Sequence, residues 1–594
     1  MLALLTLLSF VQPDTSDFTP AWSKEVVWYQ IFPDRFSNGD PSNDPSLDDI
    51  VGAWPHDYTF PFRIHPWTSD WYELQPHEKQ NGKDIWYNLQ RRRYGGDIQG
   101  IINKLDYLQD LGVTALYLNP VFWAPSLHKY DAKTYHHIDP NFGPDPAGDK
   151  KLIEKENPLD PSSWVWTSAD KLALKLLEEA HNRNMRIIFD GVFNHLGIES
   201  FAFKDLEQNQ QTSPYKDWFM VDSWRDETAG TQFSYKGWFG ASTLPELKED
   251  DKGIVSGPRE YIFAATQRWM NPQGAGIEKG IDGWRLDVAY CVAHPFWKDW
   301  RTWVKSINPD AYLTAELVDP AEGAKPYLQG DEFDAVMNYN FAFAIHDFFV
   351  QDQKAIAVSV FDKRLKDLRL AFAPGVTYNM QNLVDSHDTN RIGSALANPD
   401  KKVFGEWGDY FQWSQKNNNP LFNTRKPSPE QIDMQKLIAA FQMTYVGSPM
   451  IYYGDECGMW GANDPDCRKP MVWDELAYTE ETHNPDQSEH SPDPVSFNHD
   501  LFRWYRRLIA IRKEYAPLRM GSFNALVTDD AAQLYVFERV LDDNRIIVVL
   551  NRSNKPIEFQ HASMKKGKWL SLLDNKPFAG KEVIPALGVQ IYAR

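Results

Sequence analysis

The sequence predicts a (β/α)8 TIM barrel, and three observations carry that prediction. Eight short, strand-like apolar runs recur along the chain, separated by stretches with helical spacing of apolar residues. Four of these runs end in polar residues of catalytic type: Ile187 to His195 (IIFDGVFNH), Gly283 to Asp287 (GWRLD), Tyr312 to Glu316 (YLTAE) and Asn382 to Asp388 (NLVDSHD). The chain, at 594 residues, is long enough for a barrel and one or two accessory domains. A carboxylate just past a buried strand is costly to leave unpaired. A parallel barrel removes that cost, because it gathers the C-terminal ends of its strands around one mouth.

The elements follow in order. Val26–Phe32 reads as strand one and Val113–Asn119 as strand two. Between them a helix begins at Asp97, with Ile98, Ile101, Ile102, Leu105 and Leu108 at helical spacing. A helix with Ser168 as its N-cap precedes strand three, which ends at Asp190. Strands four and five end near Asp287 and Glu316. Asp334–Asn338 is the sixth, Met380–Val384 the seventh and Pro449–Gly454 the eighth. A last barrel helix runs over 500–513, and alternating runs from about Gly521 onward predict a C-terminal all-β sandwich.

The domain plan is therefore residues 1–16 as a signal-like segment, 17–195 and 258–519 as the catalytic barrel, 196–257 as an inserted domain after strand three, and 520–594 as the β-sandwich. Met1 to Val11 has the apolar core of a secretory signal, although a basic start and a cleavage motif are missing; export, to the medium or periplasm, is the expectation. No later run of 18 apolar residues occurs, so no membrane span is expected. A formal net charge of −20 argues against nucleic acid and anionic membranes and favours a neutral ligand. Cys291, Cys457 and Cys467 lack metal-ligand spacing; Cys457 and Cys467 either pair or stay as thiols.

The four polar-ended runs resemble the four signature regions of the alpha-amylase family, glycoside hydrolase family 13. The resemblance implies an inserted domain B at 196–257 and a retaining α-glucan hydrolase acting through a covalent glycosyl-enzyme. It makes Asp287 the nucleophile, Glu316 the general acid/base and Asp388 the third carboxylate, holding ring hydroxyls and stabilising the transition state. Arg285, two residues before Asp287, faces the same side of its strand, and its charge is expected to hold Asp287 ionised. His195 and His387 match donors to the sugar at the cleavage point, and Tyr130, with His128 beside it, matches the tyrosine stacked under that sugar. Asp464 and Arg468 resemble the pair gripping the next glucose, or else form a loop-bracing ion pair.

Asp34 to Asp44 packs oxygen-bearing side chains round a Gly-Pro turn, which suits calcium or, alternatively, an Asx-turn loop without metal. By resemblance to the N-terminal calcium loop of cyclodextrin glucanotransferases, the set is Asn38, Asp40, Asn43, Asp44, the Gly95 carbonyl and Asp97. A second family calcium site is not expected, because Cys291 stands where its histidine would be.

Leu244–Lys248 (LPELK) and Val288 resemble enzymes of the neopullulanase neighbourhood, which accept α-1,6 as well as α-1,4 links; Tyr290-Cys291 departs from the pair common there. The long N-terminal β-sandwich of those enzymes is not expected, since strand one begins almost at once. Pro45 to Arg93, with Trp54, Trp67, Trp71 and Trp86, either walls the cleft or packs on the barrel side. The substrate expected is starch, pullulan or maltooligosaccharide. Plain endo-α-amylase and cyclomaltodextrinase activity are the alternatives, and an inactive glucan-binding or scaffolding protein is the remote one.

Overall fold

The computed structural model describes residues 17–565 and 567–594; the signal-like segment lies outside them. Eight parallel strands form the central sheet: β1 Trp28–Ile31, β2 Ala115–Leu118, β3 Arg186–Gly191, β4 Gly283–Leu286, β5 Tyr312–Ala315, β6 Ala335–Val336, β7 Gln381–Asn382 and β8 Ser448–Tyr452. They pair in sequence order, and β8 returns to β1 with Trp28 opposite Met450. A parallel bridge from Met337 to Gln381 joins β6 to β7 and closes the ring. The strands are shorter than the apolar runs that predicted them, because the outer residues of each run leave the ladder to enter loops at the barrel ends.

Alternation along each strand sorts side chains into two environments. Trp28, Tyr117, Ile188, Tyr312, Met337 and Met450 fill the barrel interior. Tyr29, Leu116, Ile187, Trp284 and Leu313 point outward and join the larger core made with the helices. Helices Ile98–Asn103, Leu105–Leu111, Ser168–Asn182, Ser256–Met270, His294–Ile307, Pro429–Thr444 and His499–Glu514 belong to that outer layer.

The stretch after β3 carries a helix, Phe201–Asn209, and two short hairpins, Val221–Ser223 with Ser234–Tyr235 and Glu249–Asp250 with Gly253–Ile254. From Ser522 the chain is all-β. Ser522–Asp529, Leu534–Leu541, Asn544–Asn551 and Gly588–Ala593 form an antiparallel sheet with Leu570–Ser571, and Ile557–Phe559 pairs separately with Glu582–Ile584. Tyr535 and Phe537 of this domain pack on Phe441 of the barrel helix Pro429–Thr444. All three cysteines are free thiols, so Cys457 and Cys467 do not pair.

The helix before β3 is capped one residue earlier than its sequence suggests. Thr167, not Ser168, is the N-cap: its hydroxyl accepts from Asp170 N at 3.0 Å and Asp170 returns a bond to Thr167 N at 3.0 Å. Ser168 instead donates to Asp149 at 2.8 Å. Thr167→Ala should therefore cost about 1 kcal/mol, with Thr167→Ser restoring most of it. Thermal melts of the two variants check this, and an unchanged alanine variant would remove the cap from the stability of this helix.

Candidate active site

The inward-facing positions change character from one end of the barrel to the other. Lower positions are Trp28, Ile188 and Tyr312, and one alternation further up come Gln30, Asp190, Arg285 and Thr314. Register sets Asp190 of β3 directly beside Arg285 of β4, which in turn lies beside Thr314 of β5. The loops beyond add Asp287, Glu316, His387 and Asp388.

Arg285 is fully buried and organises this end. Its Nη1 donates to Asp190 at 2.8 and 3.0 Å and to Asp287 Oδ1 at 2.8 Å. Nη2 lies 2.8 Å from Glu316 Oε2, an ion contact without hydrogen-bond alignment. Glu316 Oε2 also accepts from the Val288 N–H at 3.0 Å. Val288 has φ +38° and ψ 47°, left-handed backbone that a β-branched residue seldom adopts. Three carboxylates thus meet on one guanidinium, and a strained turn aims an amide at Glu316.

Across the cleft, Arg468 takes Asp388 at 3.0 Å, Asp464 at 2.9 Å and the His387 carbonyl at 2.8 Å. Asp464 and Arg468 therefore do pair with one another, and Arg468 also reaches the third carboxylate. Gln30 Nε2 donates to His387 Nδ1 at 2.9 Å, which leaves the ring proton on Nε2. That Nε2 faces Tyr130 Oη at 2.6 Å and Asp388 Oδ2 at 3.0 Å. The Tyr130 ring stacks on His387 at 9°, and its hydroxyl donates to Asp190 at 3.0 Å. His195 Nε2 sits 3.1 Å from the Tyr130 carbonyl, and His128 Nδ1 accepts from Tyr130 N at 3.1 Å. Burial pushes His195 down to about 4 and His128 to about 3, so both rings are neutral hydrogen-bonding groups near pH 7.

Burial pushes the Asp287 carboxyl well above the ordinary range; Arg285 opposes this, while Glu316 and Asp190 reinforce it. Arg285, donating to Asp287 Oδ1 at 2.8 Å, supplies the ionising pull expected of it, against this burial. Several carboxylates around one guanidinium cannot all be charged, and acid/base chemistry needs a cluster that keeps a proton near neutrality.

Four residues that hold this arrangement lie outside the sequence-derived set. Asp190 accepts from Arg285, Tyr130 and Tyr117, the last at 2.7 Å. Asn119 donates to Tyr130 at 3.0 Å and accepts from Gln30 at 3.0 Å. Asp190 and Asn119 stand at predicted strand ends, which was the available signal; Tyr117 and Gln30 gave none. Trp238, in the insertion, faces His195 with ring centroids 6.0 Å apart. Glu246 of the LPELK segment bridges to His195 through the backbone and pairs with Lys236 at 2.6 Å. Of the early tryptophans, Trp71 is buried and donates to Asp466 at 2.8 Å, behind the Asp464–Arg468 loop, whereas Trp54 is exposed.

The oxygen-rich loop after β1 closes on itself. Asp97 caps helix Ile98–Asn103 and accepts from Gly39, Asp40, Gly100 and Asn43 at 2.6–3.1 Å. Asp40 Oδ1 accepts from Ser42, and Asn38 donates to Asp44 at 2.7 Å. The side-chain oxygens of Asn38 and Asn43 are buried with no partner among the described residues. Gly95 has φ +75°, and a Cβ there would fall 2.0 Å from Asp44 Oδ1. Burial pushes Asp44 up to about 6, with Asp34, Asp97 and Asp40 adding to it. Orphaned oxygens, crowded carboxylates and a glycine cradle are what a hard cation requires, so the residues fit calcium.

Asp388 gives the site a pH signature. Burial pushes it up to about 7 against the pull of Arg468. Its folded value exceeds its unfolded one, so the penalty is absent below about pH 4, grows as pH rises, and is complete above about pH 7. With 26% of the side chain exposed, the pH-dependent part is discounted to about 1–2 kcal/mol. Asp388→Asn should melt progressively higher than the parent between pH 4 and 8, and a pH-independent difference would refute the assignment.

Comparison with known proteins agrees with this geometry. The family model for the alpha amylase catalytic domain matches residues 30–159 and 168–521, and that for the maltogenic amylase C-terminal domain matches 523–582. Neopullulanase 2 of Thermoactinomyces vulgaris is 35% identical over 95% of this chain and 76% of its own length. The cyclomaltodextrinase of Geobacillus thermopakistaniensis is 33% identical over 97% and 78%. The solved structure of a cyclic alpha-maltosyl-(1→6)-maltose hydrolase from Arthrobacter globiformis aligns with TM-score 0.68 and 28% identity, covering 97% of this chain and 99% of that one. The chain belongs to the alpha-amylase family of glycoside hydrolases.

Proposed function

We propose that this enzyme cleaves α-1,4 and α-1,6 glucosidic bonds of starch, pullulan or maltooligosaccharides with retention of configuration. The observation that carries the reading is the single guanidinium of Arg285 touching both Asp287 and Glu316. Such close carboxylates suit a nucleophile and a general acid about 5–5.5 Å apart rather than the wider spacing that admits an inverting water. Asp287 attacks the anomeric carbon while Glu316 protonates the leaving oxygen; Glu316 then activates water to release the sugar. Asp388, fixed by Arg468, takes the ring hydroxyls, and neutral His387 and His195 donate to the same sugar. Tyr130 offers its face to that ring, and the paired Asp464 and Arg468 border the neighbouring glucose.

The neopullulanase and cyclomaltodextrinase relatives support action on both linkages. Panose from pullulan supports this specificity, no attack on pullulan supports a plain endo-α-amylase, and preference for cyclodextrin over polymer supports a cyclomaltodextrinase. Proton NMR of the first product should give the α-anomer; β-anomer first would overturn the retaining mechanism. Asp287→Asn should lose at least about 10³-fold in kcat with the fold intact, which also separates an enzyme from a scaffold.

Calcium belongs to the proposal through Asn38, Asn43, Asp44 and the Gly95 carbonyl, with Asp40 and Asp97 completing the set. It would neutralise the crowded carboxylates and tie the loop after β1 to the first helix. Chelation should lower the melting temperature by several degrees while sparing activity at mild temperature, and Asp40→Ala should blunt the effect. Elemental analysis that finds no calcium in the desalted protein would count against it. Export rests on the apolar Met1–Val11 run; an intracellular maltogenic amylase among the relatives points the other way, and the N-terminus of the mature protein decides.

A further inference from the structure

A second donor cluster lies behind the cleft, outside the catalytic and calcium sets. His136 and His137 follow one another in the loop after β2, and Glu156 follows helix Pro146–Ile153. Neighbouring side chains of an extended segment point apart. These two do not: their rings lie side by side, with centroids 4.4 Å apart. His137 Nε2 is 2.8 Å and His136 Nε2 3.3 Å from the same oxygen, Glu156 Oε2.

The outer faces of both rings are engaged. His137 Nδ1 meets Asp170 Oδ2 at 2.8 Å. His136 Nδ1 meets Thr134 Oγ1 at 2.6 Å and the Tyr261 hydroxyl at 2.7 Å. Trp164 stacks on His136 at 4.1 Å and 19°, fixing the plane of its ring. A proton shared by Asp170, His137 and Glu156 would explain His137 alone. It leaves unexplained why His136 is clamped from behind and aimed at the same oxygen.

We propose that His136, His137 and Glu156 form a zinc site, each giving one ligand atom and leaving a fourth position for water. Two imidazole nitrogens and one carboxylate are a donor set that zinc accepts, whereas calcium prefers oxygen alone. Asp170 on one ring and Tyr261 with Thr134 on the other are the outer partners that orient zinc-binding histidines. All three side chains are at most 2% exposed, so the ion would serve structure rather than reaction. It would tie the loop after β2 to the segment that follows helix Pro146–Ile153, while Asp170 and Tyr261 brace the rings from helices Ser168–Asn182 and Ser256–Met270. Tyr135, between Leu118 and the first histidine in that loop, bonds through its hydroxyl to the His195 carbonyl, so the tie extends to the rim of the cleft.

The test uses the full chain, stripped with chelator and resupplied with calcium. Zinc chloride is then added, excess is removed by gel filtration, and bound zinc and melting temperature are measured. One zinc per chain and a rise of a few degrees are expected. Cobalt(II) in its place should give the visible absorption of a four-coordinate ion. His136→Gln and Glu156→Gln should each lose the zinc equivalent and the shift, and either folded variant suffices. A wild type that retains no zinc, or variants that retain as much as the wild type, would overturn the proposal.

Discussion

The burial of Arg285 is the constraint on which the cleft depends. A guanidinium with no access to water must be neutralised where it stands, and only carboxylates on neighbouring strand ends can reach it. Asp190 comes from the strand before, Asp287 from its own strand and Glu316 from the strand after. Removing the cation would leave three acidic groups in a low-dielectric pocket, so fold and chemistry are coupled through one side chain. A second arginine, Arg468, repeats the arrangement on the far wall with Asp388 and Asp464.

The barrel makes this arrangement possible by separating two jobs along each strand. Outward positions bind the helices, inward lower positions fill the interior with large apolar side chains, and inward upper positions carry polar groups. Gln30, Tyr117, Asn119 and Asp190 are the transition between interior and cleft. Their hydrogen bonds fix the tautomer of His387 and the tilt of Tyr130 without contributing a reactive group themselves. The insertion after β3 then adds Trp238 and Glu246 to the rim beside His195.

Much of this was legible in the sequence, for identifiable reasons. Most barrel strands sit in largely apolar runs, and the period-two spacing of Arg285 and Asp287 already places both on one face. The motif residues needed no long-range information to be named. The supporting layer did: Gln30 and His387 are 357 positions apart, and nothing local to either announces the bond. The period-two spacing points to Arg285 as the group favouring ionised Asp287, whereas the burial that opposes it is given only coarsely by sequence. Thr167 was missed as a cap because Ser168 is an equally good capping type one residue on; the acidic Asp170 three residues after Thr167, where Ser168 has Lys171, was the signal that separates them.

Val288 has a consequence beyond its hydrogen bond. Its left-handed backbone is a position that glycine would adopt without strain, and any valine codon becomes a glycine codon by one base change. Relief of a strained backbone is therefore a single mutational step away, immediately beside Asp287. A population selected only for durability would find that step early, loosening the amide that orients Glu316 while leaving the barrel sound. In this chain the shortest mutational path to a more comfortable backbone runs through its reactive centre.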